Sequence, residues 1–537
     1  MTKKQFNELL LRIANDFSSA TGNEPWKITR DYFRFRSKEL GFSNGYYTKF
    51  YGDFKTAVEK VLKKKLVKYN DREVMVESYT RDSFDRVKQG KIYKNKTKIY
   101  FVSAVIAGCG VNSKFLESIK HFLKERNAQL VLLPMRGVNF YDDVFDNDSL
   151  ALADFFSSEF IFNHSLRAYD MRLNPQQRDP LIGFDILGHK GYSCIFASPK
   201  QFMRSVPISI NSKLPHLLYS TGTISRAEYR NTRVGRLAAQ DHVFGGLIVE
   251  VFDEKFFDIR PIQADSNGGF YDGYRYYTPN GVETVDRVSA FVVPDWHNGF
   301  EDPKVVDNWI KICAKLQPES IVFHDLFDGR SINHYEIGKY ITKASVPEFI
   351  NTLQKELDLL VIMLDKWSVM FPNSKLVIVR SNHDERLDRY LDEGRYCNDP
   401  LNHRLSLELA MAKFDGLNPL EYYYRKHRKS TIDNVIWLKI DEDYIVCGFQ
   451  LGIHGHLGAN GTRGSKIGLE KSYGKSISGH VHTPSIFRNT IQVGCTCFLN
   501  LDYTKGPSSR LNTSAIVYPN GTFTLINSIN GRIGSVV

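Results

Sequence analysis

From residue 288 the chain repeats one arrangement five times: a short β-branched and apolar run that ends in a polar cluster. RVSAFVVPDWH ends in Asp295 and His297, ESIVFHDLFD in Asp325 with Asp328 three residues later, and KLVIVRSNHDE in Asn382, His383 and Asp384. YIVCGFQLGIHGH closes on His454 and His456, and SISGHVH on His480 and His482. The segments between them, KVVDNWIKICAKLQ and VPEFINTLQKELDLLVIMLDKWSVMF among them, have helical period and length. Strands alternating with helices specify a largely parallel sheet covered by helices, an α/β fold. Ligands of such sheets sit beyond the carboxyl ends of the strands. All five clusters fall there.

Taken singly, each cluster is adequately explained as a solvated turn. Together, in this order and on strand ends, they make a common site. Carboxylates, imidazoles and one amide oxygen suit divalent ions of intermediate hardness, Mn²⁺, Fe²⁺ or Zn²⁺, without a thiolate cage. A carboxylate shared by two such ions holds them close enough to polarise a phosphoryl group and to supply hydroxide at neutral pH.

This constellation resembles the calcineurin-like metallophosphoesterase superfamily, whose pattern runs D-x-H, G-D-x-x-D, G-N-H-D/E, a lone H, then G-H-x-H. The resemblance spans roughly residues 285–530 and implies that family's two-sheet sandwich. It also implies Asp295, His297, Asp325 and His482 on one metal, and Asp325, Asn382, His454 and His480 on the other. His454 is preferred to His456 because it follows the strand and directly precedes a glycine. His383 is implied as the acid to the leaving oxygen, with Asp328 as its catalytic companion. Two positions depart from the pattern: His324 and Ser381 stand where the family has glycine, and neither change removes a ligand.

With 537 residues the chain exceeds one core and should divide into several domains. No apolar run reaches the length of a bilayer span, and MTKKQFNELLLRIANDF lacks the uninterrupted apolar core of a signal peptide. The sequence reads as cytoplasmic, with no membrane partner. Seven scattered cysteines do not form a disulfide scaffold, and Cys495 and Cys497 read as strand residues.

Residues 1–70 hold 15 Lys/Arg against 7 Asp/Glu, which leaves only +3 of the net +11 for the remaining chain. A basic end on a nearly neutral body points to a polyanion. Apolar Phe6, Leu9, Leu10, Ile13 and Phe17 mark one helix, ITRDYFRFRSKELG a second and FKTAVEKVLKKK a third, with SNGYYTKFYGD as a turn-rich break. TGNEPWKITRDYFRFRSKELGFSNGYYTKFYGDFKTAVE resembles the homing endonuclease-associated repeat, a small helical DNA-binding unit covering about a tenth of the chain. Arg30, Arg34, Arg36, Lys38 and Lys49 are the expected phosphate contacts, of the kind that give affinity rather than sequence specificity.

The organisation expected is therefore an all-α DNA-binding domain (1–70), a linker (71–95), a mixed α/β domain (96–284) and a catalytic domain (285–537). In the third, TKIYFVSAVIAG, SKFLESIKHFLKERN and AQLVLLPM read as a β-α-β unit. YSTGTISRAEYRNTRVGR (219–236) and VGCTCFLNLDYTKGPSSR (493–510) echo one another, which would make the third domain a decayed copy of the catalytic one. In YYYRKHRKS (422–430), aromatics beside Arg425, Lys426 and Arg428 suit a nucleic-acid strand.

The function these features imply is a two-metal DNA nuclease, with Mn²⁺ as the first expectation and double-stranded DNA as the partner. Its catalytic part is similar to the nuclease subunits of double-strand-break repair. The whole arrangement resembles early-expressed host-DNA-degrading proteins of tailed phages, which would act in the host cytoplasm. A phosphatase or phosphodiesterase of nucleotides or phosphoproteins, and a DNA-binding protein with an inactive site, are the rivals. Self-association into a homo-oligomer stays open.

Overall fold

The computed structural model describes residues 2–21, 28, 30–40, 42, 46–62, 98–138, 144–188, 191–209, 214–333, 346–501 and 506–536. The linker at 71–95 and the side chains of Arg34 and Lys38 lie outside what is described. The chain forms two compact units: one takes in residues 1–90 with the segments 106–110 and 136–156, the other the remainder. Among the described residues no helix is long and apolar enough to cross a membrane.

The N-terminal helices are Lys3–Thr21 (α1), Arg30–Glu39 (α2), Tyr46–Tyr51 (α3) and Phe54–Val61 (α4). The apolar positions read from the sequence close one small core of Phe6, Leu10, Ile13, Phe33, Tyr47, Phe54 and Ala57. The expected break over SNGYYTKFYGD contains the extra helix α3, because Tyr47 turns inward against the rings of Phe33 and Phe54. Gly52, at φ 81°, then reverses the chain in a conformation other residues adopt at a cost. Asp53 caps α4 by accepting from Thr56 N at 2.9 Å.

In the second unit, Ala290–Val293 (β13), Ser320–Phe323 (β14), Lys375–Ile378 (β15) and Val435–Trp437 (β16) are parallel neighbours, and an antiparallel hairpin, Thr513–Val517 (β22) and Phe523–Asn527 (β23), completes a six-stranded sheet. Pro303–Leu316 (α7) and Leu353–Met370 (α8) cover it through Trp309, Ile312, Leu357, Leu364 and Trp367. This agrees with the α/β class expected from the sequence.

The same strand plan occurs twice. Lys98–Ile106 (β1), the helix Ser113–Arg126 (α5) and Gln129–Met135 (β2) precede the hairpin Gly245–Val251 (β8) and Phe257–Gln263 (β9). The sheet order is β2-β1-β8-β9, matching β14-β13-β22-β23. In both halves the hairpin's first strand runs antiparallel to the strand before the helix.

A ten-stranded sheet joins the halves. Glu159–Asn163 (β3), Leu166–Tyr169 (β4), Ser193–Phe196 (β5), Phe202–Val206 (β6) and His216–Ser220 (β7) lie in the order β6-β7-β5-β4-β3. Ile445–Val446 (β17), Phe449–Gln450 (β18), Ser476–Ser478 (β19), Ser485–Phe487 (β20) and Thr490–Gln492 (β21) lie in the order β20-β21-β19-β18-β17. The parallel and antiparallel senses agree pair by pair, and β6 pairs with β20 at the junction.

Register then aligns the two halves. Phe196 pairs with Ser220 as Ser478 pairs with Gln492, so Ala197-Ser198-Pro199-Lys200 stands where Gly479-His480-Val481-His482 stands. Thr223 bridges Ala104 as Cys495 bridges Asp295.

Candidate metal centre

Each sheet strand delivers its polar cluster by a local stop. Pro294, which has no N–H to continue the ladder, ends β13. The loops after β13 and β14 stay zipped by Trp296 N to His324 O, His297 N to Asp325 O and Asn298 N to Leu326 O at 2.8–3.0 Å. The Trp296 side chain enters the helix-side core and anchors the turn between Asp295 and His297. His297, Asp325, His480 and His482 all take left-handed backbone, with φ of 51°, 45°, 74° and 54°. Such conformations cost of order 1–3 kcal/mol each and concentrate where function fixes a side chain.

Two groups of donors meet at Asp325. In one, His482 Nε2 lies 3.0 Å from His297 Nε2 and 3.1 Å from Asp295 Oδ2, and His297 Nε2 lies 3.7 Å from Asp325 Oδ2. In the other, Asn382 Oδ1 is 3.0 Å from both His454 Nε2 and His480 Nδ1, and His454 Nε2 is 3.3 Å from Asp325 Oδ2. His456 turns away to Glu385 at 3.1 Å, so His454 is the histidine that shares the space of Asn382 and Asp325. The structure thus brings all seven residues read as ligands together, five of them buried and Asn382 and His480 half-buried.

The cluster fits a cation. Asp325 Oδ1 is buried without a hydrogen-bond donor, and donor atoms of Asp295, His297, Asp325 and His482 all lie within 4.8 Å of one another. Burial opposes charge on His482, but the Asp295 contact outweighs it and lifts the ring to about 10; Asp295 is held down at about 2, burial opposing and His482 lowering it. At neutral pH the metal-free ring is therefore protonated, and a metal has to displace that proton. Titrating metal-free protein with Mn²⁺ at pH 7 should release protons, tighten as pH rises, and stabilise the fold by about 2.7 kcal/mol at free metal 100 times Kd. Calorimetry in buffers of different ionisation enthalpy and thermal melts check this.

Behind the donors, Asp328 Oδ1 lies 2.8 Å from His297 Nδ1, and its carbonyl accepts from His383 Nδ1 at 2.7 Å and from Arg386 Nη1 at 3.2 Å. One residue therefore orients both the D-x-H histidine and His383. Burial keeps the His383 ring neutral, at about 4. Ser381 Oγ accepts from His383 N and Asp384 N at 3.2 and 3.3 Å, tightening the turn that presents Asn382. His324 is fully buried with neither ring nitrogen partnered. A Cβ at Gly479 would stand 3.0 Å from the His324 Cβ and 2.1 Å from Asp295 Oδ1, which is why glycine precedes the H-x-H pair.

Sequence reading missed three contributors. Cys495 and Cys497, taken as strand residues, form isolated bridges, and their sulfurs and a His482 ring nitrogen lie within 4.8 Å of one another. Glu356, on α8, accepts from Arg330 N, Ser331 N and Ser331 Oγ at 2.7, 3.2 and 2.5 Å, and so fixes the loop following Asp328. Nothing in its helical context marks it. Burial, with Asp328 nearby, raises this carboxyl from its ordinary 4.5 to about 8. A raised folded pKa means that the stability it contributes is complete below 4.5 and is lost as pH rises through about 8. Glu356→Gln should flatten that part of the pH–stability curve, read from urea midpoints between pH 5 and 9.

The candidate DNA contacts are mostly engaged within the protein. Arg36 Nη2 pairs with Asp16 at 3.2 Å and Arg30 Nε donates to Tyr47 Oη at 2.7 Å, while Lys49 is exposed. Arg425 pairs with Glu421, Lys426 with Glu408, and Arg428 with Asp433. Tyr423 and Tyr424 are buried in the helix-side core and present no stacking surface.

Fold and site together define an α/β protein with buried Asp/His groupings able to hold metal ions. No family model and no solved structure matches the chain. Over 348 residues it is 33% identical to Protein A1 of Escherichia phage T5, in a match covering 61% of each chain. The chain thus spans about three-fifths of the length of the curated relative it matches.

Proposed function

We propose that this protein is a two-metal DNA nuclease that hydrolyses phosphodiesters, with Mn²⁺ as the first expected ion and Fe²⁺ or Zn²⁺ as alternatives. The observation that carries the reading is the sharing of Asp325 between the two donor groups. Asp295, His297, Asp325 and His482 would hold one ion, and Asp325, Asn382, His454 and His480 the other. Bound there, the ions would supply Lewis acidity and a hydroxide at neutral pH. His383 directs Nε2 to the Asp325 side, because Nδ1 is committed to the Asp328 carbonyl. Its neutral ring takes up a proton when an anionic phosphoester enters, and returns it to the leaving oxygen.

The similarity to a phage protein supports a place of action in an infected host's cytoplasm, and the basic N-terminal helices support duplex DNA as the substrate. The repeated strand plan supports reading 96–284 as a phosphoesterase-like copy without metal, since Ser198, Lys200 and Ala104 occupy the positions of His480, His482 and Asp295. A smaller substrate, a nucleotide or phosphoprotein, is the second reading. The ion pairs that neutralise Arg425, Lys426 and Arg428 favour it.

The test incubates the full chain with linear and closed-circular duplex DNA in Mn²⁺, Mg²⁺, Zn²⁺ or EDTA, beside a His480→Asn control. Metal-dependent loss of DNA that the substitution abolishes supports the nuclease. Intact DNA with hydrolysis of a model phosphoester replaces it with the second reading.

A further inference from the structure

Beside His482 lies a second group of donors that the paired metal groups leave unused. Cys495 and Cys497 are free and fully buried, and their sulfurs and a His482 ring nitrogen all lie within 4.8 Å of one another. The intervening Thr496 is committed elsewhere: its Oγ1 donates to the Pro294 carbonyl at 3.0 Å and accepts from Trp309 Nε1 at 3.2 Å. Asn512 Nδ2 donates to the carbonyls of both cysteines, at 2.9 and 3.0 Å, and so fixes their spacing. Leu501, Phe300 and Leu499 pack around the thiols. A buried cysteine is ordinarily a small apolar filler. Here its neighbour is an imidazole whose Nε2 faces Asp295 and His297, and whose Nδ1 is buried with no oxygen or nitrogen partner. Among the described residues no other candidate metal grouping includes a thiol.

We propose that Cys495, Cys497 and His482 form a separate thiolate site for a thiophilic divalent cation, Zn²⁺ above all, and that an ion bound there switches the metal centre off. Thiolates select Zn²⁺, whereas carboxylates and water suit Mn²⁺. Zn–S bonds of about 2.3 Å and a Zn–N bond of about 2.0 Å set the donors of a tetrahedral ion within about 4 Å of one another, so the three have only about 1 Å to close. Three protein ligands leave the fourth position to water. Both thiols release their protons to solvent as the ion binds. The switch follows from the ring. A neutral imidazole has one lone pair for a metal, because its other nitrogen carries hydrogen. His482 therefore serves the thiol site or the Asp295 group, and not both. An ion on the sulfurs takes that lone pair, and an ion held by Asp295, His297 and Asp325 loses a ligand. This consequence rests on reading His482 as a ligand of the metal centre; the thiol site itself does not.

Cd²⁺ is the probe, since its thiolate complexes give an ultraviolet charge-transfer band. Added to reduced, metal-free full-length protein, the first equivalent should raise that band, and X-ray absorption at the cadmium edge should find two sulfurs around the ion. In protein preloaded with Mn²⁺, the same equivalent should release one Mn²⁺, read by electron paramagnetic resonance, and stop Mn²⁺-dependent hydrolysis of DNA. Cys495→Ala with Cys497→Ala should weaken Cd²⁺ binding by more than about tenfold and end the release of Mn²⁺. Cys397→Ser with Cys447→Ser, at exposed thiols, should change neither. No band at the first equivalent, or fewer than two sulfurs around cadmium in the unsubstituted chain, overturns the site. A band with all Mn²⁺ retained overturns the switch, because His482 is then not shared. If the chain cleaves no DNA in Mn²⁺, the nuclease reading fails on its own, and the band and the sulfur count still decide the thiol site.

Discussion

Asp325→Asn should lose metal-dependent phosphoester hydrolysis by far more than the 10–100-fold typical of a partner that only orients a metal ligand. Asparagine is the informative replacement because Asp325 sits at φ 45°, a backbone that Asn tolerates and Ala does not. The backbone carbonyl of residue 325 would still accept from His297 N, so the zipped loops survive and the fold is preserved. What disappears is one negative charge at the point where both donor groups meet. Both His297 and His454 lose the carboxylate that faces them, at 3.7 and 3.3 Å. Metal content by mass spectrometry should fall at both sites together, and the melting temperature should stop responding to Mn²⁺. Loss of a single ion with the other retained at full affinity would show that Asp325 serves one group only.

The parts legible in the sequence are those where a ligand directly follows a strand. Strand β13 ends at Val293 and Asp295 follows within two residues; His480 follows β19 at the same distance and Asn382 follows β15 within four. Period and ligand type lie there in one short window. The groups that hold the ligands in place come from far away in sequence, with no local pattern to betray them. Glu356 is part of an ordinary amphipathic helix until the fold brings it to Ser331, and Cys497 reaches His482 only because the chain after β21 crosses to bridge Asp295 and Glu301. The joint between the halves was equally hidden, since β6 and β20 pair through Met203 with Ile486 and Phe202 with Phe487.

In YYYRKHRKS packing takes up part of the aromatic band that local composition offers, burying Tyr423 and Tyr424 while Arg425 and Lys426 stay at the surface. The helix Pro419–His427 packs on α8, and Tyr423 Oη donates to Asp358 at 2.6 Å, so Tyr423 and Tyr424 belong to the core. The echo between 219–236 and 493–510 is faint in sequence, and neither segment holds a ligand position. The repeated strand order of the two halves depends on apolar periodicity and turn length rather than on any one side chain.

His383→Gln should lower kcat on DNA by about 10²–10⁴-fold, the range of a positioned general acid, while leaving metal content unchanged. His383 touches the donor cluster only at its edge, with Nε2 3.8 Å from Asp325 Oδ2. Its other nitrogen is tied to the Asp328 carbonyl, so the ring is aimed rather than free. An acid matters in proportion to how badly the leaving group needs a proton. A nitrophenyl ester leaves readily as the anion, and a deoxyribose alkoxide does not. The His383→Gln defect should therefore shrink sharply on bis-nitrophenyl phosphate and persist on DNA. Asp328→Asn should act on both substrates instead, because it also releases His297 Nδ1, held at 2.8 Å. An equal loss on both esters for His383→Gln would mean that the ring shapes the metal site and donates no proton.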